Sequence, residues 1–205
     1  MKKAFFLVLL LTVVANGLYA KKVKGLIKYN DHTEEVTLKI PAGLFGNNPQ
    51  YVRLQDGVRY INTDGVTKTL KPSEAEAVKF SIKGETIVLV SVENTINKRA
   101  VYNFNRDSHL FLKLVLNGEL RLYDYYTEKH TPATDQKTGT ISIKQEYLLK
   151  LPDSPLKNLK TIGFRKDMME YFSYCPELVE MLETRTLRKK DIEAIVEFYN
   201  QKCSN

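Results

Sequence analysis

The chain has 205 residues, with 31 Lys+Arg against 24 Asp+Glu, 43% hydrophobic residues and two cysteines. That balance excludes a disordered chain, a collagen-like repeat and a polytopic membrane protein, and two cysteines are too few for a dense disulfide scaffold. The length suits one domain of ordinary size or two small ones, each able to bury a core.

Lys2 and Lys3 precede an apolar run from Ala4 to Ala15 that only Thr12 interrupts. A membrane-spanning helix needs about 20 apolar residues, and this run is too short. It ends at Asn16-Gly17, and small Ala20 stands before Lys21-Lys22. Residues 1–20 therefore read as a signal peptide of bacterial style, cleaved after Ala20. An exported protein is expected, in the periplasm or outer envelope or secreted, with no transmembrane anchor after processing. No cysteine follows the apolar run to take a lipid. Loss of two lysines and no acid takes the formal charge from +7 to +5. The remaining bases are interspersed with acids rather than clustered, so no nucleic-acid partner is expected.

From Val23 to about Leu151 the apolar residues alternate, with turn residues every eight to twelve positions. Val23, Gly25, Ile27 and Tyr29 alternate, Asn30-Asp31 turns, and Val36, Leu38 and Ile40 alternate again, which predicts an opening hairpin. After the loop Gly43–Pro49, short strands are expected at Tyr51–Leu54 and Val58–Ile61 around Gln55-Asp56-Gly57. Asp64-Gly65 turns into a strand at Val66–Leu70. A helical turn at Ser73–Ala77 precedes strands Val78–Ile82 and Thr86–Val92, split by Lys83-Gly84. His109–Tyr126 reads as a hairpin about Asn117-Gly118, the favoured pair for a type I′ turn. That register sets Leu116 opposite Glu119, Phe111 opposite Asp124 and His109 opposite Tyr126. A last strand carries Ile141, Ile143, Tyr147, Leu149 and Leu151 on one face.

Pro152-Asp153-Ser154-Pro155 ends the pattern, and the period changes to that of a helix. Phe164, Met168, Tyr171, Phe172 and Cys175 form one stripe. Pro176 opens a second helix to about Glu183, with Leu178, Val179 and Leu182 inward. A third begins near Arg188 and carries Ile192, Ile195, Val196, Tyr199 and Cys203. The expected fold is α+β, an antiparallel β-rich body, sandwich or partly open barrel, followed by a small C-terminal helical unit. The expected division is signal peptide 1–20, β-body 21–151, linker 152–163 and helical tail 164–205.

Cys175 and Cys203 both lie on buried stripes. They are either two buried thiols or one disulfide closing a loop worth about 3–4 kcal/mol in the chain-entropy model, and an exported chain favours the disulfide.

The segments Val23-Lys24-Gly25-Leu26-Ile27, Leu70-Lys71-Pro72-Ser73-Glu74, Phe111–Tyr126 and Gln145-Glu146-Tyr147-Leu148 lead to a tail containing Cys175-Pro176-Glu177-Leu178 and Tyr199-Asn200-Gln201-Lys202-Cys203. Together they resemble uncharacterised exported proteins common in Bacteroidota, with a β-rich body and a tail ending in Tyr-Asn-x-x-Cys. The resemblance implies an envelope location and that architecture, and no activity. The small polar residue that usually opens the last helix is Arg188 here.

His32, His109 and His130 lack metal-ligand spacing, with His32 in a turn and His130 in a polar loop Thr127–Gly139, so no metal and no cofactor is expected. Phosphate-cradling loops, nucleophile elbows and zinc-protease signatures are absent from the sequence. The predicted hairpin register puts His109, Asp124 and Tyr126 on one face, where a carboxylate could orient an imidazole for acid/base work. Tyr123, Tyr125 and Tyr126 could stack on sugar or peptide, although tyrosine also packs well in sheets. The expected function is a non-catalytic module binding protein, peptide or glycan through its sheet or sheet edge. The alternatives are a small envelope hydrolase-like enzyme centred on His109 and Asp124, or a structural subunit of an envelope assembly.

Overall fold

The structure, a computed structural model, describes residues 20–43, 46–96, 108–132 and 138–204. Residues 1–19, and with them nearly all of the expected leader, lie outside the described residues. The architecture is α+β, with antiparallel strands followed by C-terminal helices. The chain divides into two compact units, the first running to Val92 with a return at Ser108–Phe111, the second taking Glu93–Ile96 and everything described from Leu112 onward.

The first unit is built on an open antiparallel sheet. β1 (Ala20–Lys28) and β2 (Thr33–Gly43) form the expected opening hairpin, closed by a bond from Tyr29 N–H to the His32 carbonyl. Gly25 is required where β1 crosses the core: a Cβ there would press on Leu38 and stand 2.9 Å from the Lys79 carbonyl oxygen. β3 (Gly46–Pro49) pairs with β2, as does β4 (Val58–Ile61), and β4 pairs in turn with β5 (Thr67–Leu70). On the other side β1 pairs with β6 (Ala77–Ile82), which pairs with β7 (Glu85–Glu93). Lys83 and Gly84, with φ of 53° and 81°, make the tight turn between them. Ile27, Leu38, Ile40, Val58, Val78 and Ile87 form its buried core, as the alternation predicts.

One expected strand is a helix. Tyr51–Asp56 forms α1, whose first turn closes on the Gln50 carbonyl and whose Leu54 is buried. Six residues hold this turn because Leu54 anchors it in the core, not through intrinsic propensity.

The second unit carries β8 (His109–Leu116) from Leu112 on, β9 (Arg121–Thr131), β10 (Thr140–Lys150) and the two-residue β11 (Lys157–Asn158), antiparallel in that order. Against it pack α2 (Phe164–Tyr171), α3 (Pro176–Glu183) and α4 (Ile192–Lys202). Phe164, Met168, Phe172, Leu178, Leu182, Ile192, Ile195, Val196 and Tyr199 share one core with Leu122 and Leu149 of the strands and with Leu120 just before β9. The helical stripes thus cover each other and the sheet. α2 stops at Tyr171, earlier than its stripe suggests, because Pro176 keeps Cys175 out of the helical region. Ahead of α4 the Asp191 carboxylate accepts the Arg188 N–H at 3.0 Å, closing the turn that leads into the helix. Cys175 and Cys203 are joined in a disulfide.

Asp167 on α2 is held by Lys157 at 2.8 Å and Lys160 at 2.9 Å. Burial works to raise its carboxyl, but the two lysines outweigh it and hold it below the usual carboxylate range. A pKa lower in the folded than in the unfolded chain adds stability above the unfolded value, and that increment is lost as pH falls through the folded value. Asp167→Asn should therefore cost roughly 1–2 kcal/mol at neutral pH, discounting the exposed Lys160. Urea titrations should show the gap from wild type narrowing below about pH 4. A constant gap would contradict this role.

Candidate functional site

The hairpin register differs from the one predicted. Lys113, not Phe111, stands opposite Asp124, and Leu114 stands opposite Tyr123, with an irregularity before Leu116. The loop is Asn117–Leu120, and Gly118 does not take the left-handed conformation that a type I′ turn requires. The reason is Asn200 on α4. Its side-chain oxygen accepts the Leu120 N–H at 2.8 Å and its amide donates to the Leu120 carbonyl at 2.9 Å. A Cβ on Gly118 would overlap that amide. Glycine is needed here for close approach.

The shifted register builds a polar cluster around Asp124. Its side chain is 5% exposed and faces Lys113 Nζ at 3.8 Å. Gln145 Nε2 donates to Oδ1 at 2.6 Å and the Tyr126 hydroxyl to Oδ2 at 3.2 Å. Tyr147, opposite Asp124 on β10, donates to Glu193 of α4 at 3.3 Å, and burial with the charges of Asp124 and Glu193 raises its phenol. Of the three predicted acid/base candidates, Asp124 and Tyr126 are brought together. His109 belongs to the first unit, and its Nδ1 pairs with the Ser108 hydroxyl at 2.9 Å.

With both oxygens hydrogen-bonded and a lysine beside it, Asp124 ties β8, β9 and β10 into register. Charged groups of this kind stabilise through their partners, and unpairing one is costly. Tyr123 and Tyr125, the candidate stacking residues, are 0% and 4% exposed and offer no ring face to solvent. Burial raises the Tyr123 phenol. The sequence does not reveal Lys113 and Gln145 as partners of Asp124, since only the true register identifies them, and the same register sets Tyr147 opposite Asp124. Among the described residues no group of His, Cys, Asp or Glu could hold a metal, and no helix is long and apolar enough to cross a membrane.

The accessible feature of this unit lies farther along the same strands. β9 runs to Thr131, so His130 is in a strand rather than in the expected polar loop, and Ile141 faces His130 while Ile143 faces Glu128. Beyond the helices, Ile141 and Ile143 are 67% and 57% exposed. β11 pairs with β10 only at Leu148 and Leu149. Among the described residues, the outer edge of β10 from Thr140 to Tyr147 has no strand beside it. Edge strands are usually guarded by shortness, proline, bulges or lysines. β10 is eleven residues long, pairs with β9 without a register shift and has Lys144 as the one lysine on its open stretch. No protein-family model, no curated protein and no solved structure matches the chain.

Proposed function

We propose that the chain is an exported, non-catalytic binding module of the bacterial envelope that takes a protein or peptide partner by strand addition along β10. The leader-like residues 1–20 and the resemblance to exported Bacteroidota proteins support the location. The observation that carries the binding mode is the open β10 edge with exposed Ile141 and Ile143 on one face. An added strand pairs with the backbone of that edge, and the isoleucines supply apolar contact at alternate positions.

The test compares tagged mature protein with an Ile141→Asp/Ile143→Asp variant in capture from periplasmic extract. Both sites are exposed, so the variant should fold with unchanged circular dichroism and stability within about 0.5 kcal/mol. It should lose the partner that wild type retains. Equal capture by both proteins would refute the assignment.

A further inference from the structure

The geometry points to a second copy of this chain as the strand that pairs with β10, an inference that rests on the strand-addition reading. The open stretch Thr140-Ile141-Ser142-Ile143-Lys144-Gln145-Glu146-Tyr147 can be tested register by register for self-pairing. Directly opposed residues of antiparallel strands point to the same face. In registers that oppose odd with even positions, the exposed isoleucines of the two copies fall on opposite faces. Each then stays solvated, so those registers gain little.

Four registers that keep the faces together pair five residues or more of the open stretch. A two-fold axis at Lys144 sets that lysine against its own copy, a like-charge pair that costs stability. Axes at Ser142 and at Gln145 engage five residues each, Thr140–Lys144 and Ile143–Tyr147, and the second leaves Ile141 of both copies outside the pairing. An axis at Ile143 engages Thr140–Glu146 and stops short of Leu148, where β11 begins to pair. It sets Ile143 against Ile143, Ile141 against Gln145, Ser142 against Lys144 and Thr140 against Glu146. Both copies' exposed isoleucines then gather on one face, and Lys144 keeps its own Glu146 at 3.0 Å. The contact is isologous, as a two-fold dimer requires. A strand pair about 23 Å long is smaller than the usual stable interface of about 1,200–2,000 Å², so association should depend on concentration.

The experiment is sedimentation equilibrium of the mature, disulfide-bonded chain, joined to cysteine cross-linking. Wild type should shift from monomer to dimer mass as concentration rises, and Ile141→Asp/Ile143→Asp should remain monomeric with unchanged circular dichroism. Because Cys175 and Cys203 are already bonded, Ile143→Cys places one free thiol on the axis and should give a covalent dimer on mild oxidation. Ile141→Cys, opposite Gln145, should cross-link at least tenfold more slowly. A wild type monomeric at every concentration, or equal cross-linking at both positions, overturns the inference. If that monomer still captures another protein and the Asp variant does not, strand addition stands and only the second copy is refuted. If the Asp variant captures it equally, both are refuted.

Discussion

Asn200→Ala should lower the unfolding free energy by about 2–4 kcal/mol, because it strips partners from both backbone groups of Leu120, a fully buried residue. Gly118→Ala alone should cost about 1–3 kcal/mol, since the new methyl meets the Asn200 amide. The informative result is the double variant. With Asn200 shortened, the alanine at 118 has room, and its backbone is not left-handed. The second substitution should then add almost nothing, leaving a large coupling in the double-mutant cycle. Were Gly118 needed for positive φ, the penalty would persist whatever stands at 200. Additive costs would therefore contradict the close-approach account.

The disulfide carries the next largest expected effect. Cys175 precedes α3 and Cys203 follows α4, 28 positions apart, so their bond closes most of the helical tail into one loop. Cys175→Ser/Cys203→Ser should lose about 3–4 kcal/mol, chiefly by freeing the unfolded chain. For a chain of this length that corresponds to a drop of roughly 10 °C in Tm. Reduced wild type should melt with the double variant, and intact mass should rise by two hydrogens on reduction. An unchanged urea midpoint after reduction would contradict the assignment.

Local pattern made much of this fold legible, because alternation and helical stripes report which side faces a core. The opening hairpin, the strands about Lys83-Gly84 and the three tail helices all follow from it, as does the placing of Cys175 and Cys203 on buried stripes. Where a distant contact decides, the pattern fails. Asn117-Gly118 has the composition of a tight turn, yet Asn200, eighty positions after Leu120, sets the loop and with it the register around Asp124. Tyr51–Leu54 looks like a strand until Leu54 is seen anchoring a helical turn. The odd positions of β10 are apolar at both ends, with Gln145 and Tyr147 between, and the sequence does not say that the helices cover only one end. Leu149 is buried and Ile141 exposed for that reason alone.

Amide hydrogen exchange across β10 tests the binding edge most directly. In the isolated chain, amides of Thr140–Glu146 that point away from β9 should exchange at rates close to open strand. On addition of the captured partner, or at concentrations where two copies associate, those amides should become protected while the tail helices stay unchanged. Binding accompanied by protection elsewhere, with the β10 edge still exchanging freely, would contradict the account.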